Sequence, residues 1–155
     1  VDPTTNTIIY PTRFDPMATT HVRATVASTY TSGSPETIRY SLKTYDTLNE
    51  FNIATYTWTC TKTGLYQITA QEWWGSAGAG TTENAEVIIY VNGGAALASD
   101  KMNGSGDANR LLRPKASGTI FLKPGDTVYA RHTGSAGVRD VVAGNYSYIE
   151  IHRIA

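Results

Sequence analysis

Apolar and polar positions alternate along most of this chain, most sharply between Tyr56 and Ala70. Tyr56, Trp58 and Cys60 are separated by Thr57 and Thr59, the period of two expected of a half-buried strand. Thr61 to Gly64 interrupts the run, and Gly64 is free to take the positive φ of a tight reversal. Alternation resumes with Tyr66, Ile68 and Ala70 on one face and Gln67 and Thr69 on the other. The stretch predicts an antiparallel hairpin with one aromatic-rich face.

Upstream, Val22, Ala24 and Val26 alternate with Arg23 and Thr25, which predicts a strand over His21–Tyr30. Ser32 to Pro35 makes a turn, and Thr37–Tyr45 is the next strand, with Ile38, Tyr40 and Leu42 on one side. Residues 1–20 hold Pro3, Pro11 and Pro16 and little periodicity, so they read as an extended arm or linker, or as an edge strand at Thr7–Tyr10. Downstream, the strand from Tyr66 runs on through Trp73 and Trp74 into a Gly/Ala/Ser loop at 75–80. Val87 to Val91 is a dense apolar run, as expected of a strand buried on both faces. Asn92-Gly93 signals a hairpin, with a weaker Ala/Leu strand beyond it. Strands over Leu111–Leu122, Thr127–His132 and Asn145–Arg153 follow, joined by a Lys123-Pro124-Gly125-Asp126 turn and a glycine-rich loop at 134–144. Turn signals about every 8–12 residues, with no helical period, predict an all-β, two-sheet jelly-roll sandwich of about eight to ten antiparallel strands.

Composition narrows the class. A chain of 155 residues is one domain's worth. Its 13 basic and 13 acidic residues cancel, so it carries no electrostatic footprint for nucleic acid or an anionic membrane. Charged residues are only 17%, and threonine and tyrosine, which favour strands, stand in their place. No run approaches the roughly 18 apolar residues of a membrane span, and no signal-peptide pattern is present. The single cysteine, Cys60, excludes an intrachain disulfide framework and a cysteine-based zinc cage. Because the chain begins at Val1 rather than Met, it reads as a fragment or a processed product.

Several segments resemble the complement-type globular head, the trimeric jelly roll related in fold to tumour necrosis factor. Thr59-Cys60, a short linker and Gly64-Leu65-Tyr66-Gln67-Ile68 are similar to its signature stretch. Ser41-Leu42-Lys43-Thr44-Tyr45 resembles the strand before that stretch, and Val91-Asn92-Gly93 its hydrophobic-x-Asn-Gly turn. Ala116-Ser117-Gly118 followed by Leu122-Lys123-Pro124-Gly125-Asp126-Thr127-Val128 is similar to its Ser-Gly…Leu-x-x-Gly-Asp-x-Val segment. Tyr146-Ser147-Tyr148-Ile149-Glu150-Ile151 stands where its last aromatic strand would be, but carries Glu150 and His152 in place of a Gly-Phe pair. There is no collagen-like Gly-X-Y run, and the divergence points to a viral or bacterial member. The resemblance spans roughly residues 20 to 154 and implies a homotrimer with inner-sheet side chains against the axis.

Little points to catalysis. His21, His132 and His152 are scattered, without an acidic or cysteine partner at metal spacing, and read as solvent-facing or edge-bonded strand residues. No serine sits in Gly-x-Ser-x-Gly, no nucleophile–base pair can be argued, and no local pattern marks a catalytic pair of carboxylates. Asn103, Ser105, Asp107 and Asn109 alternate across a loop after Asp100, a spacing of oxygen ligands that can wrap a hard cation such as calcium; a solvated loop is the plainer reading. Some members of the resembled family bind calcium near the trimer apex, which does not assign these residues. The aromatic set Trp73, Trp74, Tyr129, Tyr146 and Tyr148 combines large apolar area with polar handles, suited to a core or to a trimer interface. Adjacent Trp73 and Trp74 must point to opposite faces of a strand, so at most one faces the core of a two-layer sandwich. The other needs a subunit interface, a ligand or a second buried surface.

These observations predict an arm over 1–20 and a jelly-roll head over 21–155 that forms a homotrimer. The expected role is non-catalytic, with no cofactor unless the loop binds calcium. It is the head of a virion (phage) fibre, spike or capsid-surface protein, exposed on the virion or outside the cell. Its partners would be a host-surface receptor or glycan, or neighbouring virion proteins, and it would neither bind nucleic acid nor insert in a membrane. Loops at 75–85, 103–110 and 134–144 would carry specificity. A secreted or spore-surface adhesin is the alternative, as is a carbohydrate-binding module with an exposed Trp or Tyr platform.

Overall fold

The structure, a computed structural model, describes residues 19–75, 84–99, 102–103, 112–134 and 139–155. In chain order the strands are β1 (His21–Val26), β2 (Tyr30–Ser32), β3 (Glu36–Thr37), β4 (Leu42–Asp46), β5 (Phe51–Asn52), β6 (Thr57–Thr59) and β7 (Gly64–Gln71). They continue with β8 (Asn84–Val91), β9 (Gly94–Ala98), β10 (Met102–Asn103), β11 (Lys115–Leu122), β12 (Thr127–Gly134), β13 (Arg139–Val141) and β14 (Gly144–Arg153). Of the eight that run five residues or more, β1, β7, β8, β11, β12 and β14 carry the alternation visible in the sequence. The shorter strands are two or three residues long, too short to leave a period.

Two antiparallel sheets face one another. One has five strands in the order β11-β7-β14-β1-β4, and the other has β10-β8-β12-β6-β5 with β3 on β12 and β9 on β8. β2 and β13 form a small third pair. The core lies between the sheets, where every second residue of β7, β8, β12 and β14 is buried. Trp58, Tyr40, Tyr66 and Phe51 are its aromatic members, packed with Ile68, Ile89 and Ile149. The all-β jelly-roll sandwich expected from the sequence is the observed fold.

Three local expectations fail, two of them because the chain changes sheet. Tyr56–Ala70 is not a hairpin: β6 pairs with β5 and β12 in one sheet, whereas β7 pairs with β11 and β14 in the other. Tyr56 itself sits in the preceding turn with φ 56°. Gly64 is required by crowding rather than by a reversal, since a Cβ there would meet the Ala155 carbonyl and the Arg153 side chain. Thr37–Tyr45 likewise leaves one sheet after β3 and enters the other at β4. Ile38 and Tyr40 are buried on the way, but Leu42 points outward and is 53% exposed. The apolar run in β8 buries one face only, because Ile88 and Tyr90 alternate with Val87 and Ile89 onto the outer side.

The expected arm falls outside the described residues except for Thr19 and Thr20, whose carbonyls accept from Thr47 Oγ1 (2.7 Å) and Arg153 N (3.0 Å). Asp100, Asp107 and Asn109 of the candidate cation loop also lie outside them, and Asn103 is described only as the backbone partner of Asn84. Most of the three loops expected to carry specificity are outside them as well.

Candidate functional site

The outer face of the five-stranded sheet carries a polar cluster that the strand period assembles. Burial of Ser147, Ile149 and Ile151 in β14 turns Tyr148, Glu150 and His152 outward. β1 lies antiparallel beside it, with His21 opposite His152 and Arg23 opposite Glu150. β4 adds Tyr45 opposite Arg23.

Glu150 is the hub. Its Oε1 accepts from the Tyr45 hydroxyl at 2.6 Å and lies 3.1 Å from His152 Nε2, and its Oε2 accepts from Arg23 Nη1 at 3.1 Å. Burial resists ionisation of this carboxyl, but Tyr45, His152 and Arg23 together hold its pKa below the ordinary value. The same contact, with burial foremost, pushes the Tyr45 hydroxyl up to about 12. His21 packs against both the His152 ring (4.0 Å between centroids) and the Tyr45 ring (4.2 Å). Its Nε2 is shut off from solvent, 3.9 Å from Glu150 Oε1, and has no hydrogen-bond partner. Partial burial and then the neighbouring His152 lower its pKa, against the pull of Glu150. The expectation that these histidines lack an acidic partner is therefore wrong. Glu150 and His152 stand two apart on one strand, a spacing visible in the sequence, while His21 arrives only through the pairing of the first and last strands.

At the end of the same sheet, Trp73 packs edge-on against Tyr146, 4.9 Å between centroids at 90°. Arg113 lies over both rings, at 4.7 and 4.5 Å. Tyr148 follows Tyr146 on the outward side of β14 and is capped by Arg23 at 4.2 Å. Trp74 is 2% exposed inside a small cluster with Ala85 and Leu112, so it cannot serve an interface between chains. Tyr129 lies on the outer side of the other sheet, stacked on Tyr90 at 5.3 Å. The expected aromatic set is thus divided: Trp73, Tyr146 and Tyr148 share one side, Tyr129 the opposite one, and Trp74 the interior.

His132 departs furthest from expectation. It is buried, with Nδ1 2.8 Å from Glu72 Oε1 and Nε2 2.8 Å from Ser32 Oγ. Those distances imitate a nucleophile–base–acid relay, a pairing that no local pattern announced, but the protons are wrongly placed. Nε2 also lies 2.7 Å from the Gly33 carbonyl, which can only accept, so this nitrogen carries hydrogen. The Ser32 hydroxyl donates to Glu36 Oε2 at 2.7 Å. Ser32, Glu72 and His132 are each no more than 2% exposed, and Trp74 Nε1 donates to the second Glu72 oxygen. The network is satisfied internally and closed to substrate.

No protein-family model and no curated protein sequence matches the chain. Solved structures do. The tumour necrosis factor Eiger from S. frugiperda superposes with a TM-score of 0.63 at 15% identity, covering 88% of this chain and 92% of that one. The chain has the complement and tumour-necrosis-factor jelly-roll fold. The globular domain of the zebrafish complement 1qA protein matches equally well, at TM-score 0.63 and 12% identity over 88% of this chain and 98% of that one. In this jelly roll, then, the ordered motifs noted above stand as parts of one fold, even though the signature stretch is a crossing between sheets.

Proposed function

We propose that the chain is the non-catalytic, trimeric head of a virion fibre, spike or capsid-surface protein, used for attachment or assembly. The observation that carries this reading is Trp73. Its neighbour Trp74 fills the protomer's interior, whereas Trp73 is only partly buried and lies beside half-exposed Tyr146. A partly exposed indole beside a half-exposed tyrosine fits an interface that a second chain completes. A threefold ring would cover that side of the sheet, with the arm leading to a shaft or shell and the loops at 75–85, 103–110 and 134–144 meeting a receptor or glycan.

A sugar-binding platform at Trp73 is less well supported, because Arg113 already covers the ring that would stack on a sugar. Light scattering behind size exclusion at two concentrations tests the proposal. The expected mass is near three chains, with Trp73→Ala shifting it towards monomer at the lower concentration. A monomer at both concentrations in the wild type sinks the trimeric head.

A further inference from the structure

We propose that His21, Glu150 and His152 form a binding site for a zinc-like divalent transition metal on the outer face of the five-stranded sheet. Their ligand atoms all lie within 4.8 Å of one another, and among the described residues no other trio of His, Cys, Asp or Glu side chains converges so closely. Zinc held tetrahedrally at about 2.0–2.1 Å sets its ligand atoms about 3.3 Å apart. Glu150 Oε1 and His152 Nε2 already stand at 3.1 Å, and His21 Nε2, 3.9 Å from Oε1, closes in on both when a metal is bound.

His21 Nε2 is an imidazole nitrogen hidden from solvent, without a partner, and aimed at the same carboxylate oxygen as its neighbour. A cation held by the two Nε2 atoms and Glu150 Oε1 gives that nitrogen the partner it lacks.

The surroundings fit a held ligand set. Tyr45 keeps one lone pair of Oε1 and Arg23 keeps Oε2, so the carboxylate is oriented from behind and offers the metal a single oxygen. Arg23 also opposes a dication, and the affinity is accordingly moderate rather than tight. The side chains of His21, Glu150 and His152 are 43%, 25% and 36% exposed, so in the free chain solvent reaches the rim of the cluster. Two imidazoles and one carboxylate suit zinc, copper or nickel, whereas calcium and magnesium prefer all-oxygen cages. All three ligands come from one chain, on the sheet face that the proposed trimer would cover.

The test is a calorimetric titration of the full chain with Zn2+ alone, repeated with His21→Gln and His152→Gln. The expected result is one equivalent per chain, unaffected by excess Ca2+, with affinity falling about tenfold or more in either variant. Metal-free melting curves close to wild type would show that the variants fold. As a measurement on the wild type itself, Zn2+ should shift the imidazole resonances of His21 and His152 and leave those of His132 in place. Absence of saturable binding, undiminished affinity in both variants, or unmoved His21 and His152 resonances would each overturn the site.

Discussion

His132 and His152 each meet a glutamate at hydrogen-bonding distance, 2.8 Å to Glu72 and 3.1 Å to Glu150, yet their surroundings give them different roles. The His132 and Glu72 side chains are 3% and 0% exposed, and Ser32, Gly33 and Trp74 engage their remaining polar atoms. The His152 and Glu150 side chains are 36% and 25% exposed, and a nearby imidazole nitrogen has no partner. A buried charge pair has lost its water and must keep every partner it has. A partly exposed one keeps water within reach and can exchange a partner at little cost. Depth, more than residue type, separates a structural network from an available site.

The sharpest way to break this comparison is to remove each carboxylate in turn. Glu72→Ala leaves His132 buried beside no acceptor at Nδ1, and the expected loss is about 3–5 kcal/mol of unfolding free energy. Glu150→Ala leaves its partners within reach of water and should cost about 1 kcal/mol or less. Urea denaturation of both variants measures the gap; equal losses would mean that depth does not distinguish the two clusters.

Their pH responses should run in opposite directions. Burial lowers the His132 pKa, but Glu72 and the Gly33 carbonyl outweigh it, and the folded value lies above the ordinary 6.5. The stability from this group is therefore complete below 6.5 and is lost as pH rises through the folded pKa. His21 is shifted below 6.5, so the folded state favours its neutral form, and stability is lost as pH falls from 6.5 through the folded pKa. Unfolding followed between about pH 5 and pH 8 should show His132→Gln removing a decline on the alkaline side and His21→Gln one on the acid side. Two variants with the same slope would contradict the assignment.

Most long strands were legible because their period of two survives in the folded sheets: Tyr66, Ile68 and Ala70 are buried on β7 as their spacing implies. Pairing was not legible. Trp58 and Tyr66 share a core, 5.2 Å between ring centroids, so one alternating aromatic pattern runs through a crossing between sheets and imitates a hairpin. The sites suffered more. Glu72 and Ser32 reach His132 across sequence separations of 60 and 100 residues, and His21 meets His152 only because the first and last strands are neighbours. The local part of the outer cluster, Glu150 and His152 on one face, was the fragment within reach of sequence reasoning. It became meaningful once the third ligand was placed.

The smallest expected effect concerns what holds Glu150 in that cluster. Tyr45→Phe removes one hydroxyl donor at 2.6 Å while keeping the ring against His21, so the packing term is nearly constant. A single neutral donor to a partly exposed carboxylate is worth about 0.5 kcal/mol, the low end of what one hydrogen bond contributes. Glu150 is depressed below the ordinary 4.5 despite burial, with Tyr45 first among the groups that favour its charge. It therefore contributes stability that is present above 4.5 and lost as pH falls through the folded pKa. Without the hydroxyl the folded pKa should climb back towards 4.5 and the acid-side loss should become shallower, as a carboxyl-resolved NMR titration would show. An unmoved Glu150 would mean that Arg23 and His152 alone fix the carboxylate. Its orientation would then rest on the ion pair with Arg23, the contact that also opposes a bound cation.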